Sequence, residues 1–111
     1  MKAKLVVIES RSTDYKVVYS ELPVTIGRGP DAGVRLADSF VSRCHCQIDE
    51  VGGTLVVRDL GSKHGTLVNR QSVSESALLP GDEILVGLTS LRASLNDEFH
   101  SDRWLDQPSM A

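Results

Sequence analysis

The sequence predicts an all-β fold, a sandwich or barrel of nine or ten short strands, and three observations predict it. Short runs rich in Val, Ile, Leu and Tyr recur along the whole chain. Turn residues interrupt them roughly every six to twelve positions. Nowhere does an apolar period of about 3.6 persist over the ten or more residues a helix needs. Lys4–Glu9 and Tyr15–Ser20 open the series, separated by the polar turn Ser10-Arg11-Ser12-Thr13-Asp14. Pro23–Ile26 is a third strand, stopped by Gly27-Arg28-Gly29-Pro30, and Val34–Leu36 is a short fourth. Cys44–Asp49 and Leu55–Arg58 flank Gly52-Gly53, a pair suited to the positive φ angles of a tight hairpin. Thr66–Val68, Ala77–Leu79, Glu83–Val86 and Thr89–Leu95 complete the set, spaced by Asn69-Arg70, Pro80-Gly81-Asp82 and Gly87.

A chain of 111 residues has room for one compact domain. Up to Asn96 it carries eleven basic and eleven acidic residues; the net charge of −3 arises in 97–111, with four acids against Arg103. The expected division is therefore a neutral domain over 1–96 and an acidic tail or linker over 97–111. There Phe99, Trp104 and Leu105 would dock loosely or form a short helix. A neutral domain gives no bulk attraction to nucleic acid or to an anionic membrane. The run Leu5-Val6-Val7-Ile8 is too short for a membrane span or a signal peptide. Cys44 and Cys46, on one face of a strand, are expected to stay free, which suits a reducing, cytoplasmic setting.

Three polar clusters fall where loops are expected: Gly27-Arg28-Gly29, Ser42-Arg43-Cys44-His45, and the run from Asp59 to Asn69. They offer Arg28, Arg43 and Lys63 as cations and Ser42 and Ser62 as hydroxyl donors, beside glycines that let backbone N–H groups approach a ligand. Cations, hydroxyls and free amides converging on loops describe a receptor for a dianionic phosphate.

In this arrangement the sequence resembles the forkhead-associated (FHA) domain, a phosphopeptide-binding family, over roughly Lys4 to Leu95. Four motifs carry the resemblance: Gly27-Arg28, Ser42-x-x-His45, Asp59-x-Gly-Ser-x-x-Gly-Thr-x-x-Asn69, and Gly81-Asp-x-Ile-x-x-Gly87. It implies a two-sheet β-sandwich of about ten or eleven mostly antiparallel strands. It further implies a non-catalytic module that binds phosphothreonine-containing partners, targets of a Ser/Thr kinase, through loops at one end. By the resemblance Arg28 and Ser42 grip the phosphate, Arg43 and Lys63 assist, and His64 and Asn69 meet the peptide backbone. Gly27, His45, Asp59, Ser62, Gly65 and Thr66 would support the loops. No cofactor is implied.

Two positions depart from the family pattern. His64 stands where Asn is usual; an imidazole cannot donate and accept with amide geometry, and beside a phosphate it would favour its charged form, which would make peptide anchoring there pH-sensitive. Arg70 stands where glycine usually follows the Asn, either as a solvated charge or as a rim residue favouring acidic peptides. A module of this fold that binds its partner without phosphate is the alternative, with His64 marking the departure.

Competing readings of single residues are weaker. Arg28 would satisfy Asp31 or Asp59 in a purely structural role. Ser42, His45 and Asp59 suggest a hydrolase triad. A Ser and a His three apart at a strand start, however, project to opposite faces, and no Gly-x-Ser-x-Gly turn is present. Cys44, His45 and Cys46 lie on two faces of one strand and cannot converge on one metal ion.

Overall fold

The computed structural model describes residues 1–9 and 12–96 and shows eleven strands in two sheets. They are β1 (Lys2–Ile8), β2 (Lys16–Glu21), β3 (Val24–Gly27), β4 (Val34–Arg35), β5 (Cys46–Val51), β6 (Thr54–Asp59), β7 (Thr66–Val68), β8 (Gln71–Val73), β9 (Glu75–Leu78), β10 (Ile84–Val86) and β11 (Thr89–Asn96). One sheet has the order β2-β1-β11-β10-β7-β8 and the other β4-β3-β5-β6-β9. Pairings are antiparallel except for β3 with β4. The expectations for the tail, with Phe99, Trp104 and Leu105, and for Ser10 and Arg11 lie outside the described residues.

Alternation along each strand builds the core. In β1, Ala3, Leu5 and Val7 are buried while the residues between them are not. Ile84, Val86 and Leu91 extend that inner face; Val24, Ile26, Ile48 and Val57 oppose it from the second sheet. Leu36 and Val41, from the connection between β4 and β5, close one end. The Gly52-Gly53 hairpin forms as expected, with φ of +59° and +86° joining Val51 to Thr54. No helix among the described residues is long and apolar enough to cross a membrane.

Two expectations are corrected. Gln71–Val73 is a strand with no apolar run to announce it; it pairs with β7 across the Asn69-Arg70 turn. Cys44 and Cys46 do not share a face: β5 begins at Cys46, which is buried in the core, whereas Cys44 lies before it and is exposed. Burial pushes the Cys46 thiol up to about 12.

Register positions the loops. Ile26 pairs with Cys46 and Cys46 with Asp59, so these three residues sit abreast in neighbouring strands. The segment leaving β3, the one entering β5 and the one leaving β6 therefore emerge at one end of the sandwich. The three polar clusters occupy those segments.

Candidate functional site

The first two clusters are laced together by backbone bonds. Arg28 N donates to Ser42 O at 2.9 Å, Gly29 N to Arg43 O at 3.1 Å, and His45 N to Ile26 O at 2.9 Å. This approach is so close that a Cβ on Gly27 would overlap the Arg43 carbonyl oxygen, which explains the glycine before Arg28. Arg28 is exposed, and its Nε donates to Val41 O at 3.0 Å. That bond fixes the guanidinium while leaving its two terminal amino groups to a ligand. None of the ion pairs among the described residues involves Arg28, Arg43 or Lys63.

Ser42 joins the third cluster. Its Oγ accepts the Lys63 N–H at 3.0 Å, so the hydroxyl hydrogen stays available to donate outward. Its own N–H donates to Nδ1 of the buried His45 at 3.0 Å. An amide can only donate, so Nδ1 is the acceptor and Nε2 carries the hydrogen, donating to Gly65 O at 2.8 Å. His45 thus spans the loops of Ser42 and Gly65 with both ring nitrogens occupied. It touches the Ser42 amide rather than the hydroxyl, so it is no base for Ser42, and it has no lone pair left for a metal. The expectation that Ser42 and His45 point apart is modified accordingly: they are bonded, but through the backbone.

Asp59 holds the third loop from inside. Its carboxylate accepts from Gly61 N and Ser62 N at 3.0 Å each, Ser62 Oγ at 2.6 Å and Thr66 Oγ1 at 2.7 Å. Burial pushes its pKa up, but the bonds from Ser62, Thr66 and Gly61 outweigh it and hold the group below the usual value. Ser62 Oγ also accepts Gly65 N at 2.9 Å, and Gly65 adopts φ of +85°, which only glycine enters freely. Asp59 is therefore spent within its own loop and does not neutralise Arg28.

His64 and Asn69 sit differently. His64 is exposed, and its ring meets Phe40 edge-on, with centroids 5.6 Å apart. Phe40 and His64 thereby bridge the outer rims of the second and third loops. Asn69 lies beyond β7, where Nδ2 donates to Asp82 Oδ1 and Oδ1 accepts Glu83 N, each at 3.0 Å. Its carboxamide braces the connection between β9 and β10; one Nδ2 hydrogen and one Oδ1 lone pair remain for a peptide. Arg28, Ser42, Arg43 and Lys63 are brought together; Asn69 has no hydrogen bond to that group.

Sequence reasoning missed Asp38, which is buried and ties the Ser42 loop to the turn between β10 and β11. It accepts Phe40 N at 2.9 Å, Leu88 N at 2.9 Å and Thr89 Oγ1 at 2.8 Å. Burial raises its pKa, but the bonds from Phe40, Thr89 and Leu88 bring the net shift downward. The local signal was Asp38 two residues before Phe40, an Asx-turn spacing. Its long-range bonds had no sequence signal.

Compared with family models, the chain matches the FHA domain over residues 24–87. It is 35% identical over 88 residues to the FHA domain-containing protein FhaB of Mycobacterium tuberculosis, covering 78% of this chain and 57% of that protein. To the glycogen accumulation regulator GarA of Mycolicibacterium smegmatis it is 36% identical over 85 residues, covering 77% and 54%. The chain thus spans little more than half the length of these relatives. Among solved structures, one from a study of phosphothreonine-dependent FHA domain interactions superposes with a TM-score of 0.72 and 30% identity, covering 85% of this chain and 98% of that one. The FhaA FHA domain, complexed with the intracellular domain of Rv3910, gives 0.70 and 35%, covering 83% and 99%.

Proposed function

We propose, from the premise that the chain belongs to the FHA domain family, that its loops bind a phosphothreonine-containing segment of another protein and perform no chemistry on it. One observation carries this reading: Arg28, Ser42 and Lys63 are hydrogen-bonded into a single unit in which, among the described residues, the guanidinium ends and the Ser42 hydroxyl hydrogen have no partner. In it Arg28 and Ser42 clamp the phosphate, Arg43 and Lys63 add positive charge, and His64 with Asn69 meets the peptide. His45, Asp59, Ser62, Gly65, Thr66 and Gly27 hold the loops in the receptive shape before any ligand arrives. Residues 1–96 are the binding unit and 97–111 a tail or linker. An exposed free thiol at Cys44 suits a reducing, cytoplasmic compartment.

The magnitudes are consistent. Charge-assisted hydrogen bonds contribute about 1.5–3 kcal/mol each, so three or four on one phosphate supply roughly 5–10 kcal/mol before ordering costs. Micromolar binding needs about 8 kcal/mol. Burying the threonine methyl adds about 0.8 kcal/mol over serine. Titrating phosphothreonine, phosphoserine and unmodified peptides against wild type and Arg28→Ala tests the reading. Binding is expected to require phosphate, to favour phosphothreonine, and to weaken by at least about a hundredfold in Arg28→Ala, the lower bound for loss of two charged bonds. Affinity indifferent to both phosphate and Arg28 refutes it and favours phosphate-independent docking. Ester turnover lost in Ser42→Ala refutes the non-catalytic part.

A further inference from the structure

Next to the phosphate loops lies a second recess of about 320 Å³, bordered by Glu9, Lys16, Arg28, Arg35, Leu36 and Ala37. Arg28 belongs to both, whereas Arg35 falls in none of the family motifs. The charges in the recess can be traced one by one. Glu9 Oε1 pairs with Lys16 Nζ at 3.1 Å, and Glu9 Oε2 accepts Ala37 N at 3.1 Å. The Ala37 amide, then Lys16, hold the Glu9 carboxyl below its usual range. Glu9 and Lys16 thus cancel.

Two arginines remain, and they are built alike. Each spends Nε on a backbone carbonyl: Arg28 on Val41 at 3.0 Å, Arg35 on Arg28 at 3.1 Å. Each keeps its terminal amino groups clear of every ion pair among the described residues. The parallel pairing of Gly27 with Arg35 fixes Arg35 beside the end of β3, next to Arg28. A tethered guanidinium loses little freedom on binding and presents a planar fork matched to a carboxylate or phosphate.

We infer that this recess is a second anion subsite in which Arg35 receives a further anionic group, carboxylate or phosphate, of the same phosphopeptide. The inference rests on the reading that Arg28 holds the phosphothreonine. Because Arg28 borders both sites, the two anions belong within a few residues of one extended segment, each residue spanning about 3.3 Å. The domain would then select phosphothreonines set in acidic or doubly phosphorylated surroundings.

The test uses the intact chain and three peptide series. One has a single phosphothreonine with neutral flanks, one the same peptide with Glu placed at each flanking position in turn, and one a second phosphate at those positions. The readout is the ratio of neutral-flank to anionic-flank Kd within each protein, so that any general loss of affinity cancels. Wild type is expected to gain about tenfold at one or two positions, the lower bound for one charged hydrogen-bonding pair. In Arg35→Gln the gain should fall below about twofold; in Glu9→Gln, which removes the opposing carboxylate, it should grow. A gain with Glu assigns an acidic side chain, and a gain with phosphate alone assigns a second phosphorylated residue. A ratio near one at every position, or a gain undiminished in Arg35→Gln, overturns the subsite while leaving the parent reading intact. Failure of wild type to bind the neutral-flank and anionic-flank phosphopeptides overturns both.

Discussion

The two connections flanking β7 are shaped by opposite means. The loop before it, Leu60–Gly65, wraps around the Asp59 carboxylate, which accepts four hydrogen bonds and leaves the loop's outer side to Lys63 and His64. The turn after it, Asn69-Arg70, has φ of +49° and +71° at two residues that carry side chains. In the first, local chemistry makes the fold of the loop its best option. In the second, the surroundings impose a conformation that Arg70 does not favour. Preorganisation is thus concentrated on the side of β7 that faces the proposed phosphate site, and local cost is tolerated on the other.

Removing the anchor should break the contrast most severely. Asp59→Ala leaves the Ser62 and Thr66 hydroxyls and two amides without their acceptor, and Thr66 is fully buried. A loss of about 2–4 kcal/mol is expected in urea denaturation, together with weaker phosphopeptide binding because Lys63 and Ser42 lose their fixed spacing. A loss no larger than that of an exposed loop substitution would show that the carboxylate is not what shapes the loop.

Acid should release the same anchor reversibly. The pKa of Asp59 in the folded state lies below its ordinary value of 3.8, so folding favours the ionised form. Its contribution is fully present above that value and is lost as pH falls through the lower folded-state pKa. Asp38 acts in the same direction, tying the Ser42 loop from behind. The contribution of these two carboxylates should therefore hold level from neutral pH to about 5 and decline below about 4. In Asp59→Asn the decline should be shallower, measured as urea midpoints across that range. An identical slope in the variant would remove Asp59 from the acid transition.

How much of this was legible in the sequence follows the same division. Ten of the strands announced themselves because their cores alternate or run apolar, as Leu5 and Val7 do in β1. Gln71–Val73 did not, since its pairing is imposed by the turn at Asn69-Arg70 rather than by its own residues. Alternation alone puts Cys44 on a strand, two residues beyond where β5 starts, because it does not see that His45 folds this segment through the Ser42 amide. Arg28, Ser42 and Lys63 were readable as side chains of a common site, since spacing and residue type carry that information. The Val41 carbonyl that steadies Arg28 is a backbone atom and leaves no trace in residue identity. The reach of Asp38 to Leu88 and Thr89, about fifty positions away, and the tether of Arg35 to Arg28 depend on register that only the folded sheets supply.

The smallest expected effect sharpens the other side of the comparison. A residue with a Cβ pays about 1–2 kcal/mol in the left-handed region, while glycine costs about 0.4–1 kcal/mol through the freedom it adds to the unfolded chain. Arg70→Gly should therefore stabilise the domain by roughly 0.5–1 kcal/mol, visible as a higher urea midpoint with an unchanged slope. The neighbouring Asn69 tolerates the same region through bonds to Asp82 and Glu83, which Arg70 lacks among the described residues. Arg70→Ala keeps the Cβ and serves as the contrast: it should bring no such gain. If glycine and alanine behave alike at position 70, the backbone there is not under strain, and the asymmetry across β7 reduces to the Asp59 anchor alone.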